Sequence, residues 1–416
     1  DWANAYAIAG GSLPVMLPFD VAISLSFNVG APRSLRFLVN CDNYVREMQV
    51  REENPDAIGP LSISPEGKLP ANSWQTLTQT YTVGDLPMRP GGSVLVGRQF
   101  MSNQGPLQRD DPAGDNYITI ASSNSTAQFE NTNHPFAGMH GGFRGAAGMM
   151  TFTLRGTTLG KGDTITVTYG DKSGGSRGFQ VQTFANDFYP LPLYIDFDGK
   201  ENFFTVPIKP FRVRGIGVHA VHGFAPSVVG VGEHFDVSVR SEDLYYNRAA
   251  GAIPAYEVQL NGESHSTIPA GRDAITVLED LTFDSPGVYR FAFQSPDGKV
   301  TGEANPVWVR EHPERRIYWG ETHGHSGLAE GQGSPEFYFR FAREDAVLDF
   351  VTLSEHDLWM DNSEWELLRS AVTKYKKENE FIVYLGYEWT MTPSQGGHHN
   401  VFFRRPEGRK RVGVQR

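Results

Sequence analysis

Short runs in which apolar and polar residues alternate dominate the first half of the chain. "DVAISLSFNV" from Asp20, "SLRFLVN" from Ser34, "MMTFTLRG" from Met149 and "DTITVTYGD" from Asp163 carry apolar residues at every second position, and Gly, Pro, Asn or Asp punctuates them. A period of two with one apolar face is the signature of a half-buried strand. The stretch from about Leu13 to Phe211 therefore predicts an all-β, sandwich-like region. The rhythm resumes after Val218–Gly232 in "HFDVSVRSEDLYYNRAAG", "YEVQLNGE" and "GVYRFAFQSPDGK", at the length of one small sandwich. Its "SPDG", Ser295–Gly298, is a turn, because Pro presets one dihedral and Gly takes the positive one.

After Pro313 the pattern changes to strand, helix, strand, helix. "RIYWGE" (Arg316–Glu321) reads as a strand. "SPEFYFRFARED" opens a helix, with Ser334 as N-cap, Pro335 at the first position and Glu336 in the first turn. "LDFVTLS" is a continuous apolar run suited to a buried parallel strand. "NSEWELLRSAVTKYKKENE" is helical, with Trp365, Leu368 and Val372 on one face and Lys374, Lys376 and Lys377 toward its end. "FIVYLGYE" and "HNVFFRR" add two strands. Such alternation predicts a parallel sheet or barrel. The expected units are residues 1–215, 216–312 and 313–416. Four strands cannot close a (β/α) barrel, which needs seven or eight and typically ~250 residues, so the last unit is expected to be a barrel cut short at Arg416.

Length agrees with several units, since 416 residues exceed the ~250–300 at which single cores stop growing. A net charge of -11 argues against a general polyanion binder, and no nucleic-acid partner is expected. The single Cys41 allows no internal disulfide. The most apolar stretch, Tyr6–Ala31, is broken by Pro14, Pro18 and Asp20, so no membrane-spanning helix of ~20 apolar residues is expected. The chain starts at Asp1 without a charged leader region, and a periplasmic or secreted location is favoured over a cytoplasmic one.

The candidate chemistry lies in the third unit. His323 and His325 follow its first strand, Glu355, His356 and Asp357 its second; Glu388 ends the third, and His398 and His399 open the fourth. Ligands collect at the carboxyl ends of parallel strands. Imidazole and carboxylate without thiolate suit Zn²⁺, Mn²⁺ or iron, and groups from several strands can hold two or three ions.

These residues carry a resemblance. "GETHGHSGLAEGQGSPEFYF" resembles the first motif of the polymerase-and-histidinol-phosphatase (PHP) superfamily, through His323, His325, Ser326, Glu330 and Gly331. "VTLSEHD" is similar to its second motif, with His356 as ligand and Glu355 where Asp is usual; "LGYEWT" resembles its third, with Glu388 as bridging carboxylate; "GGHHNVFF" resembles the next, with His399 preferred as ligand. The resemblance covers about Arg316–Arg405 and points to a bacterial branch with a large β-rich N-terminal half. It implies the start of a (β/α)7 barrel with two or three Zn, Mn or Fe ions at His323, His325, His356, Glu388 and His399, lacking the family's later His and Asp-x-His motif. It further implies a metal-dependent hydrolase, a phosphoesterase acting on a small anionic ester through a metal-activated water. Asp357 or Glu355 is the candidate to orient that water or a ligating imidazole. The second unit resembles an immunoglobulin-like sandwich. The alternative reading is a non-catalytic glycan- or protein-binding protein with a structural or vestigial metal site.

Weaker signals remain. "GGSRG" around Ser176 has the Gly-x-Ser-x-Gly form but lies between strands, where a nucleophile elbow needs strand-to-helix. "DFDG", Asp196–Gly199, reads as a turn rather than a calcium loop. His140 and Arg144 lie in a Gly-rich surface loop. The basic run from Arg404 to Arg411 would attract an anionic ester.

Overall fold

The structure is a computed structural model that describes residues 50, 52–133, 146–206, 210–328, 331–357, 360, 362–391 and 396–411. Cys41, the runs from Asp20 and Ser34, His140, Arg144 and Glu330 lie outside the described residues.

The described strands of the first unit form mainly two antiparallel sheets. One orders Leu61–Ser64, Leu77–Thr82, Thr164–Tyr169 and Ile118–Ser122; the other orders Phe203–Thr205, Leu193–Asp196, Ser93–Gln99, Ala146–Arg155 and Gln128–Asn133. Leu77–Thr82 and Thr164–Tyr169 are buried at every second residue. Leu77, Tyr81, Val167 and Tyr169 from the first sheet share a core with Val94, Val96, Phe152 and Ile195 from the second. Inside it, Gln79 is satisfied at both ends: the Tyr169 hydroxyl donates to its Oε1 at 2.7 Å and its Nε2 donates to the Leu191 carbonyl at 2.8 Å. A buried amide left without partners would cost ~1–3 kcal/mol. A smaller sheet of Asn186–Tyr189, Phe211–Arg214 and Lys68–Pro70 flanks the core.

The second unit is a β-sandwich of short strands. Phe235–Glu242 lies between Ala220–Phe224 and Ile275–Leu281, and Tyr256–Leu260 pairs with Glu263–Ile268 and Phe291–Gln294. Val221, Val237, Val239, Tyr256, Val258, Phe291 and Phe293 fill its interior.

The third unit contains strands β1 (Gly320–Glu321), β2 (Phe350–Leu353), β3 (Ile382–Thr390) and β4 (His398–Phe403), with helices α1 (Pro335–Arg340) and α2 (Asn362–Tyr375). The sheet order is β1-β2-β3-β4. β1, β2 and β3 are parallel, but β4 runs antiparallel to β3. For β4 this corrects the expectation of a parallel sheet. A parallel return needs a crossover of a dozen or more residues, and only residues 391–397 join the two strands. β1 is also shorter than "RIYWGE" predicts, with Ile317, Tyr318 and Trp319 exposed before it. Ser334 caps α1 as expected, its Oγ accepting from Phe337 N at 3.1 Å. The helix then widens into a π turn over Phe341–Asp345. On α2, Trp365, Leu368 and Val372 are buried against Val383, Leu385 and Tyr387 of β3, while Lys376 and Lys377 lie beyond its end.

Polar contacts join the units. Arg248 makes a bidentate pair with Asp345 (2.8 and 2.7 Å), Arg316 does the same with Glu233 (2.6 and 2.8 Å), and Trp319 Nε1 donates to Ser227 Oγ at 2.9 Å. Among the described residues no helix is long and apolar enough to cross a membrane.

Candidate metal centre

His323 and His325 stand two apart on the extended chain after β1, so both rings fall on one side of it. Glycine between them leaves room for Tyr338: a Cβ on Gly324 would stand 2.2 Å from the Tyr338 hydroxyl. The β2–β3 ladder continues past Leu353, with Glu388 N donating to Glu355 O and Asp357 N to Glu388 O, both at 2.9 Å. That extension lays His356 beside Glu388. From the other side, β4 pairs His398 with Thr390 and Asn400 with Glu388. Directly opposed residues share a face of the sheet, so His398 arrives on the face that carries Glu388.

The Glu388 carboxylate is buried, with a side-chain exposure of 2%, and imidazoles surround it. Its Oε2 is 2.9 Å from His323 Nε2, 3.2 Å from His325 Nε2 and 3.7 Å from His356 Nδ1, and its Oε1 contacts His398 Nδ1. His325 and His356 stack with ring centroids 4.6 Å apart. Two triads result, His323–His325–Glu388 and His356–Glu388–His398, each with ligand atoms within 4.8 Å of one another. Donors about 2.0–2.1 Å from a tetrahedral ion stand ~3.4 Å apart, a spread that small side-chain rotations reach from here. Four imidazoles and one shared carboxylate are a fitting donor set for Zn²⁺, Mn²⁺ or iron. The site is open on one side, since His323 and His398 are 55% and 48% exposed. Burial pushes the Glu388 carboxyl up, but His356, His323, His325 and His398 around it outweigh that and hold it below the ordinary carboxylate range.

A surrounding layer fixes these groups. Thr390 Oγ1 donates to Glu388 O at 3.1 Å and lies 2.7 Å from His356 Nδ1. With its proton so directed, the hydroxyl accepts from Nδ1–H and leaves the lone pair of the ring on Nε2. Asp357 is fully buried and its Oδ1 accepts from Thr390 N at 2.9 Å. Glu355, also fully buried, accepts at Oε1 from Ser326 N at 2.9 Å and from the Ser326 hydroxyl, while its Oε2 stands 3.9 Å from His325 Nδ1. Glu355 thus reaches the His-Gly-His loop. Both carboxylates hold neighbouring groups in place.

Of the two adjacent histidines, the structure brings His398 to the Glu388 cluster and not His399, the expected ligand. His399 opposes Trp389 on the other face of the sheet, its ring 5.8 Å from the indole and its Nε2 2.9 Å from the Gly396 carbonyl. Closeness to the apolar run favoured His399, whereas the parity of an antiparallel pairing decides the matter. Thr390 was missed too, and its place two residues after Glu388 was the available signal. Elsewhere, Ser176 is buried in a loop and its Oγ accepts from Gly178 N at 3.1 Å. Asp196 accepts from the amides of Asp198, Gly199 and Glu201 at 3.3, 3.1 and 2.9 Å, as a turn requires.

No family model matches the chain. It is 26% identical over 261 residues to an uncharacterised protein of Chlamydia muridarum and 25% identical over 261 residues to one of Chlamydia trachomatis, in each case covering 59% of this chain and 42% of the relative. The chain thus matches less than half the length of these relatives. Among solved structures, an adhesin of Yersinia pseudotuberculosis is 11% identical over 66% of this chain and 65% of that one, with a TM-score of 0.19. A CARDB domain from Pyrococcus furiosus is 19% identical over 22% of this chain and 94% of that one, with a TM-score of 0.18. At such TM-scores neither carries an argument about this chain.

Proposed function

We propose that the third unit is the beginning of a PHP-type barrel and holds a metal-dependent hydrolase centre that cleaves phosphate esters. The observation that carries the reading is the buried Glu388 shared by two groups of histidines, where one carboxylate could serve two cations. His323 and His325 would hold one ion, and His356 and His398 the other. Bound there, divalent ions supply Lewis-acid polarisation and a water of lowered pKa. Glu388 would offset their charge, Thr390 accepts from His356 Nδ1, Asp357 holds Thr390, and Glu355 holds the loop of His325. The exposed Arg404, Arg405, Arg409 and Lys410 draw anions toward the open side, and Arg411 ties this segment to the Asp357 carbonyl beside the centre.

The test pairs elemental analysis with a screen of phosphomonoesters, phosphodiesters and sulfate esters in Mn²⁺ or Zn²⁺. Expected are at least one bound equivalent and phosphate-ester turnover that chelator abolishes, as does His323→Ala with His325→Ala. Chelator-resistant turnover, or unchanged turnover in the double variant, would remove the centre as the active site. Bound metal without turnover on any ester would favour the binding-protein reading.

A further inference from the structure

The loop that carries His325 is held from outside its own unit. After Ser326 the chain turns back on itself: Gly331 N donates to Ser326 O at 2.9 Å and Gly327 N donates to Gly333 O at 2.8 Å. The returning limb lies tight against the ligand, because a Cβ on Gly331 would stand 2.0 Å from the His325 carbonyl. The first unit grips that limb. Asp187 accepts from Ser334 N at 3.1 Å through Oδ1 and from the Ser334 hydroxyl at 2.7 Å through Oδ2. Next to it, Asn186 Nδ2 donates to Gln332 Oε1 at 3.0 Å, and Gln332 Nε2 donates to the Phe100 carbonyl at 3.1 Å.

We infer that Asp187 is a positioning residue for the metal centre, so that the N-terminal β unit sets how His325 is presented. The path is short. Asp187 fixes Ser334 and Gly333; Gly333 and Gly331 hold Gly327 and Ser326; Ser326 carries Glu355 on one side and is bonded directly to His325 on the other. Without the carboxylate, the returning limb loses two of the four hydrogen bonds to the first unit named above, and they are the two charge-assisted ones, the stronger kind. Partners that orient ligands without touching the metal typically alter affinity ~10–100-fold. The inference rests on the metal-centre reading for its functional consequence, whereas the mechanical link from Asp187 to the loop stands on the contacts alone.

The experiment uses the full chain with Asp187→Ala, Asp187→Asn and, as control, Arg248→Ala, which removes a contact between units that does not touch the loop. Two readouts are taken: Co²⁺ titration followed by its visible absorption spectrum, and hydrogen exchange of the peptide spanning 323–334 in metal-free protein. Asp187→Ala is expected to weaken Co²⁺ binding about tenfold, shift the spectrum and speed exchange. Asp187→Asn keeps an acceptor and should recover most of both, and Arg248→Ala should change neither. Should Asp187→Ala fail to fold, Gln332→Ala tests the neighbouring anchor in the same way. Wild-type spectrum and exchange in Asp187→Ala would overturn the inference, as would equal effects from Arg248→Ala. If the wild-type chain binds no Co²⁺, the metal-centre reading fails by itself, and the exchange data still decide whether Asp187 holds the loop.

Discussion

His398 and His399 are chemically identical neighbours with opposite fates, because each step along a strand reverses the face. This makes the pair a sharp probe. His398→Ala should reduce metal content by about one equivalent where the wild type holds two, while His399→Ala leaves it unchanged, both read by elemental analysis. Equal loss from the two variants would place the cluster on the wrong face of β4. Glu388→Gln should reduce occupancy of both triads together, because a neutral amide balances neither cation. Most of the cluster was legible as residue types at strand ends: His323, His325, His356 and Glu388 all converge. His398 was not, because facing depends on a register that only the partner strand sets, and Thr390 was not, because its place two residues after Glu388 gains meaning only once the imidazole beside it is known.

Elements show the same division. Alternation marked Thr164–Tyr169 and Leu77–Thr82 correctly, because a half-buried strand has no other way to sort its side chains. For β4 the residue pattern left direction open, and the short connection was the overlooked cue to an antiparallel return. The π turn after α1 was likewise hidden. It gains one residue per turn and in doing so delivers Asp345 to Arg248. Turn chemistry read well in "SPDG", where Asp297 accepts from Ser295 Oγ at 2.7 Å and from Lys299 N at 3.2 Å. Those bonds, Ser295 first, hold the Asp297 carboxyl down at about 2. A carboxyl depressed in the folded state stabilises it above the unfolded value of ~3.9 and loses that contribution as pH falls through the folded value. Asp297→Ala should therefore lower the melting temperature at pH 6, with the gap to wild type narrowing as the pH is taken from 4 to 3. A gap independent of pH would mean that the ionised carboxylate is not what holds the turn.

Across the whole molecule, composition and rhythm marked β-rich regions followed by an α/β unit, but not the contacts that join them, which involve residues distant in sequence. One of these contacts centres on Arg240, only 7% exposed. Its guanidinium donates from Nε to Glu242 Oε1 at 2.8 Å and reaches the Asp345 carbonyl, while His222 Nδ1 stands 2.6 Å from Glu242 Oε2. Glu242→Ala would leave a buried cation uncompensated, at a cost of ~3–5 kcal/mol. Glu130→Ala removes the partner of Arg155 where both side chains are more than half exposed, and should cost under ~1 kcal/mol. Denaturant unfolding of the two variants should separate them clearly; equal midpoints would mean that water reaches Arg240.

Ser334 answers to two masters, the helix it caps and the carboxylate of another unit. As a cap alone it could become Gly at a loss of a few tenths of a kcal/mol, so drift at this position would ordinarily be cheap. Shared with Asp187, it is not free to drift, since each residue is useful only while the other keeps its hydroxyl or carboxylate. Across homologous chains the two positions should change as a pair, and the α/β unit should not be found grafted beside a foreign N-terminal neighbour unless that neighbour brings an acceptor to the same spot.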